Sequence, residues 1–196
     1  MVPAVVFETA LTYPAYRKML DELMGQQKTT GPDQSEKMVQ YARLNLQRMN
    51  RLEKTAALLP ELQAVIQGIS KPQHWLVITE GWCGDAAQNL PVIAQAAALN
   101  PKIELKLILR DEHPAVMDRY LFNGTRSIPR LIIFNEAWTD LAVWGPRPQP
   151  AQEIVNAGKA QALPHDTWAE QVHVWYAKDR SVTLQRELIE LIKGIA

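Results

Sequence analysis

Trp75-Leu76-Val77-Ile78-Thr79-Glu80-Gly81-Trp82-Cys83-Gly84-Asp85-Ala86 is the stretch whose reading decides the fold. An apolar run ends at Glu80 and Gly81, the only cysteine of the chain follows at Cys83, and a run suited to a helix extends from Ala86 to Leu99. The order is strand, tight turn, cysteine, helix. The first backbone N–H groups of a helix lack intrahelical partners and point outward. They favour a thiolate over a thiol, and the thiolate is the nucleophile.

Working outward, a second informative stretch lies downstream: Ser127-Ile128-Pro129-Arg130-Leu131-Ile132-Ile133-Phe134, with Pro129 46 positions after Cys83. Trp82-Cys83-Gly84-Asp85 resembles the active-site turn of thioredoxins, which carry Trp-Cys-Gly-x-Cys. The Ile128-Pro129 segment is similar to the proline-led strand of the same family. The resemblance covers roughly residues 71–160. More narrowly, the chain looks like bacterial thioredoxin-like proteins with a helical region before the core. The resemblance implies a thioredoxin-like α/β fold, with a mixed central sheet flanked by helices and extra helices at both termini. It also implies a cis peptide bond before Pro129, facing Cys83, and a backbone edge beside it that can pair with an extended peptide.

The departures matter as much as the matches. The family's second cysteine falls on Ala86, and its buried acid on Val77. An attacking Cys83 would form a mixed disulfide that no internal thiol could resolve. Dithiol reduction of protein disulfides by this chain alone is therefore excluded.

Composition narrows the setting. With 47% apolar and 21% charged residues, the chain has the balance of a soluble globular protein. The formal net charge is zero, so no general attraction to nucleic acid is expected. No stretch of 18 apolar residues suggests a membrane span. The opening Met1–Glu8 lacks the basic head and apolar segment of a secretion signal. A single cysteine fits the reducing cytoplasm.

Residues 1–70 read as an N-terminal helical extension, 71–160 as the thioredoxin-like core, and 161–196 as C-terminal helices packed on the core. Tyr16, Met19, Leu20 and Leu23 share one helical face over residues 14–24. Ser35 is placed to cap a long helix burying Met38, Ala42, Leu46, Met49 and Leu52. Its Lys37, Arg43, Arg48, Arg51 and Lys54 form a basic surface, read chiefly as solvated and otherwise as a face for an acidic partner. A further helix runs from Glu61 to Ile69. In the core, a strand over 75–79, the helix 86–99 with Pro91 inside it, and a strand over 103–109 make a βαβ unit. A helix over 115–121 and antiparallel strands over 131–134 and 141–144 complete it. Helices over 151–161, from an Asp166 cap through Lys178, and along Leu184, Leu188, Leu191 and Ile195 follow.

Cys83 is the candidate catalytic residue, within a turn made by Trp82, Gly84, Asp85 and Ala86. The helix end lowers its pKa by an effect worth roughly 0.3–2 kcal/mol. Asp85 opposes it with about 1 kcal/mol in water and about 4 near a protein surface. The two are comparable, and the sequence leaves the ionisation state open. Ile128, Pro129, Arg126 and Arg130 are the candidate substrate-binding residues. Together with Arg147, the arginines flank the loops expected near Cys83 and suit a carboxylate of glutathione or of an acidic peptide. The scattered His74, His113, His165 and His173 lack ligand spacing, so no metal site and no cofactor is expected.

Three functions follow. One is monothiol thiol–disulfide exchange with protein or peptide thiols and disulfides or with glutathione, released by an external thiol. The second is a redox-inactive thioredoxin-fold module that binds an extended peptide or partner protein. The third is an assembly role for the apolar stripes of the helical extensions. No nucleic-acid or membrane partner is expected.

Overall fold

The computed structural model describes residues 4–195; residues 1–3, part of the opening stretch read above for a signal, and residue 196 lie outside it. Four strands form one mixed sheet in the order β2-β1-β3-β4: β1 (Gln73–Thr79), β2 (Ile103–Leu109), β3 (Arg130–Asn135) and β4 (Asp140–Trp144). β1 runs parallel to β2 and antiparallel to β3, and β3 pairs antiparallel with β4. The central position of β1 explains its composition. Trp75, Leu76, Val77 and Ile78 are fully buried, so both faces must be apolar. Each such side chain contributes up to about 1.5–3 kcal/mol in area removed from water. Leu131 to Phe134 on β3 are equally buried.

α5 (Gly84–Ala97) carries the chain from β1 back to β2 and contains Pro91. Cys83 occupies its N-cap, and the helix starts two residues before Ala86 because the cysteine itself caps it. α3 (Glu36–Thr55) packs along α5. Val39, Ala42, Leu46, Met49 and Leu52 are buried at three- and four-residue spacing, while Met38 is half-buried at the edge of the stripe. α1 (Ala4–Thr9) and α2 (Tyr13–Gly25) add Phe7, Tyr16 and Leu20 to the same core cluster as the sheet. Between them, Leu11 exchanges two backbone hydrogen bonds with Leu107, at 2.9 and 2.7 Å, and so covers part of the outer edge of β2.

Several local expectations shift. Ser35 stands at the N-cap of α3, but its hydroxyl makes no capping bond. The chain leaves the helix after Thr55, and Ala56 and Leu59 are extended; α4 (Pro60–Gln67) then starts on Pro60, whose missing N–H costs nothing there. α6 (Pro114–Met117) is a single turn rather than a helix to Leu121. α7 (Gln149–Ala160) begins two residues earlier than expected, with Pro150 in its first turn. Asp166 is not a cap: α8 (His165–Asp179) has Pro164 at its N-cap, and Asp166 instead binds Lys37, Tyr41 and His165. α9 (Val182–Lys193) packs on α4 and β4, and α8 packs on α7. Among the described residues, no helix is long and apolar enough to cross a membrane.

Candidate functional site

The turn between β1 and α5 is held from outside the sheet. Gly81 donates its N–H to Thr30 Oγ1 at 2.8 Å, and its carbonyl accepts from Asn45 Nδ2 at 3.0 Å. Both partners belong to the N-terminal region, which therefore fixes the turn that presents Cys83. A Cβ at Gly81 would lie 2.7 Å from a Leu20 side-chain methyl, which would have to shift to admit it. Asn45 carried a signal in the sequence, since it is a polar residue inside the apolar stripe of α3; Thr30, in a turn-rich loop, carried none.

Cys83 is 7% exposed. Its Sγ accepts the Ala86 N–H at 3.5 Å and, as a thiol, donates to the Ile128 carbonyl oxygen at 3.4 Å. Burial pushes its pKa up to about 12, with Asp85 adding to the rise; the Ala86 N–H and Arg147 act against it without prevailing. The helix end has therefore lost to desolvation, a quantity the sequence did not contain. The thiol is protonated at neutral pH.

Asp85 is not a free neighbour of that thiol. Arg147 donates to it from two nitrogens, at 2.7 and 3.0 Å, and Tyr176 Oη donates at 2.8 Å. Asn89 Nδ2 then donates to Tyr176 Oη at 2.9 Å and to the Asp85 carbonyl at 2.7 Å. This network ties α8 to the first turns of α5. Tyr176 had no signal in the sequence, since it lies 91 residues from Asp85.

Opposite the thiol, the Ile128–Pro129 peptide bond is cis, as is Gly145–Pro146. Gly145 has φ +106, and a Cβ there would run into the Pro129 carbonyl oxygen. Trp82 is half-buried beneath the Arg110 guanidinium, 4.6 Å from the ring centroid.

A groove of about 1180 Å³ opens over this turn. Its walls are α3, with Tyr41 and Leu44, and α8, with Trp168 and His173; Cys83 and Ile128 lie at its floor. Of the sequence-selected residues, Trp82, Gly84, Asp85, Arg126, Ile128 and Arg147 also line it. Ala86 is buried in the helix behind the thiol. Arg126 is exposed and paired with Asp118 at 2.7 Å. Arg130 is not brought to the groove: it is buried, and its guanidinium donates to the Tyr120 and Gly145 carbonyls. There it secures the turns flanking β3, so a carboxylate would have to displace two backbone bonds to reach it. His173 and Arg48, which sequence reasoning did not place here, stand over Gly84; a Cβ on Gly84 would lie 2.8 Å from the imidazole and 3.6 Å from the guanidinium. Among the described residues, no group of three or more histidine, cysteine or acidic side chains could hold a metal ion.

Comparison with known proteins extends this geometry. A family model described as thioredoxin matches residues 31–163, more than half of the chain and including α3. Two crystal structures are similar over the whole chain. One is an HIV epitope scaffold, at 19% identity and TM-score 0.66, with 100% of both chains covered. The other is a protein of unknown function from Pseudomonas aeruginosa, at 19% identity and TM-score 0.64, with 100% of this chain and 99% of the other covered. Likeness at that identity speaks to fold alone. A search of curated proteins gives no match.

Proposed function

The chain belongs to the thioredoxin family, and on that premise we propose that it is a single-cysteine member that binds a partner in the groove between α3 and α8. The observation that carries the reading is the state of Cys83. Its thiol is buried at the groove floor, hydrogen-bonded to a backbone carbonyl, and its pKa is raised to about 12. A thiol in that state is a poor nucleophile at neutral pH. The groove beside it is concave and lined by both apolar and polar side chains, as a binding site is. An extended segment of a partner protein suits it, and Ile128, ahead of the buried Pro129, forms part of the floor.

A second reading, monothiol exchange, has one observation in its favour: Sγ accepts the Ala86 N–H at the N-cap of α5, with Arg147 near enough to lower its pKa. In that reaction Cys83 loses its proton to solvent and attacks one sulfur of a partner disulfide. A mixed disulfide forms and the other sulfur leaves as a thiolate. The thiolate of an external thiol such as glutathione then attacks the partner's sulfur in the mixed disulfide, forming a disulfide with the partner, and Cys83 leaves as a thiolate that solvent reprotonates.

Incubation with glutathione disulfide at pH 7.5, read by intact mass, separates the two. The binding reading predicts that folded protein stays unmodified while the denatured chain gains one glutathione. Rapid modification of the folded protein, reversed by reduced glutathione, would favour exchange.

A further inference from the structure

Among the described residues, one groove cation has no carboxylate within ion-pair distance. Four of its basic side chains have carboxylate partners: Lys37 with Asp166 at 3.1 Å, Arg110 with Asp111 at 2.8 Å, Arg126 with Asp118 at 2.7 Å and Arg147 with Asp85 at 2.7 Å. Arg48 has none within 4 Å among the described residues. It donates only to Asn45 Oδ1, at 2.8 Å, although a guanidinium carries five donors in a planar fork.

Arg48 is half-buried, and that burial lowers its pKa, so its charge is held at a cost in solvation. Asp85, the carboxylate nearest the turn, already accepts from Arg147 and Tyr176. Glu170, the remaining acid of the lining, is solvent-exposed, where water and salt screen it. Beside Arg48, His173 keeps a buried Nδ1 without a hydrogen-bond partner. Apolar side chains share the walls around this polar spot: Leu44 is 47% exposed, and Trp168 faces the same space. The volume exceeds the usual range of about 300–1,000 Å³ for small-molecule pockets, which favours a length of chain over a metabolite.

We propose that the partner segment is an acidic, partly apolar peptide, one of whose carboxylates is held by Arg48 above the Cys83 turn. The inference rests on the groove-binding reading and adds the charge of the ligand. The carboxylate takes the fork of Arg48 that no protein acid occupies. The apolar side chains of the peptide lie on Leu44 and Trp168.

The test uses three capped pentapeptides in which leucine alternates with glutamate, glutamine or lysine, titrated against the full chain with tryptophan fluorescence as the readout. For the unsubstituted protein the glutamate peptide is expected to bind roughly tenfold more tightly than the glutamine peptide, the size of one charged hydrogen-bonded contact. The lysine peptide is expected to bind most weakly. Arg48→Met keeps the apolar stem and equalises the glutamate and glutamine peptides, while Arg48→Lys retains part of the preference. Circular dichroism of each variant establishes that it is folded. Equal binding of glutamate and glutamine peptides to the unsubstituted protein overturns the acidic-ligand inference and leaves groove binding standing. A preference that persists undiminished in Arg48→Met overturns the assignment to Arg48. If none of the three peptides binds, the groove reading fails and the inference goes with it.

Discussion

Arg147 and Asp85, 62 residues apart, meet through two nitrogens on one carboxylate oxygen, with both side chains largely buried. The contact joins the loop after β4 to the first turn of α5 and neutralises the carboxylate closest to Cys83. It adds to the helix end and the Tyr176 hydroxyl in holding an acid two residues from the thiol.

Breaking this pair from one side should be costly. Arg147→Met leaves Asp85 with only the Tyr176 hydroxyl, and stability should fall by about 3 kcal/mol in urea unfolding. Combining it with Asp85→Asn removes the orphaned charge, so the double variant should be more stable than Arg147→Met alone. A double variant that loses the sum of the two single effects would refute the pairing.

Gly145 should be far less replaceable than Gly124. Both have positive φ, but a Cβ on Gly124 meets nothing within 4 Å, whereas one on Gly145 strikes the Pro129 backbone. Gly124→Ala should cost about 1–2 kcal/mol for the left-handed backbone alone. Gly145→Ala should cost roughly 3 kcal/mol or more, since the backbone must also move. Comparable melting temperatures for the two variants would contradict this.

His173 predicts a loss of stability in acid. Burial, reinforced by Arg48, lowers its pKa from 6.5 to about 4. Between these values the unfolded chain binds a proton that the folded chain refuses, so stability rises with pH and falls as pH drops from about 6.5 to about 4. The slope from this one group cannot exceed about 1.4 kcal/mol per pH unit, and partial exposure reduces it. His173→Gln should flatten the profile in that window, measured by urea unfolding at half-unit pH steps.

Glu80 predicts the opposite trend. It is fully buried at the end of β1; Oε1 accepts the Asp111 N–H at 3.0 Å, and Oε2 has no partner among the described residues. Burial raises its pKa above 4.5. The folded state then holds a proton that the unfolded state releases, so this contribution is full below about 4.5 and is lost as pH rises through the folded value. Stability of Glu80→Gln relative to the unsubstituted protein should therefore improve from pH 5 to pH 8. A difference that does not change with pH would mean that Glu80 titrates normally.

The sheet was legible because its signals are local. The apolar run into Cys83, the alternation from Ile103 to Leu109 and the proline-led strand after Ser127 each lie within a few residues. The site was legible only in part. Arg130 looked like a groove residue from its position beside Pro129, yet strand alternation and the local turns aim it at backbone carbonyls instead. Arg48 was one of five cations on α3, and only the crossing of that helix over Gly84 sets it apart. The Asp85–Tyr176 bond depends on where α8 docks, which no local pattern encodes. The ionisation of Cys83 turned on desolvation, which exists only once α3, α8 and the sheet have closed around the thiol.

The central claim is that this member of the thioredoxin family holds its one thiol protonated at the floor of a binding groove. The most direct test is the rate of Cys83 alkylation by iodoacetamide against pH in the folded protein. The account predicts slow reaction at pH 7 and no inflection near the free-cysteine value of about 8.5, with the rate still rising at the highest pH the fold withstands. A midpoint below about 8.5 would contradict it, and would identify Cys83 as an activated thiolate poised for exchange.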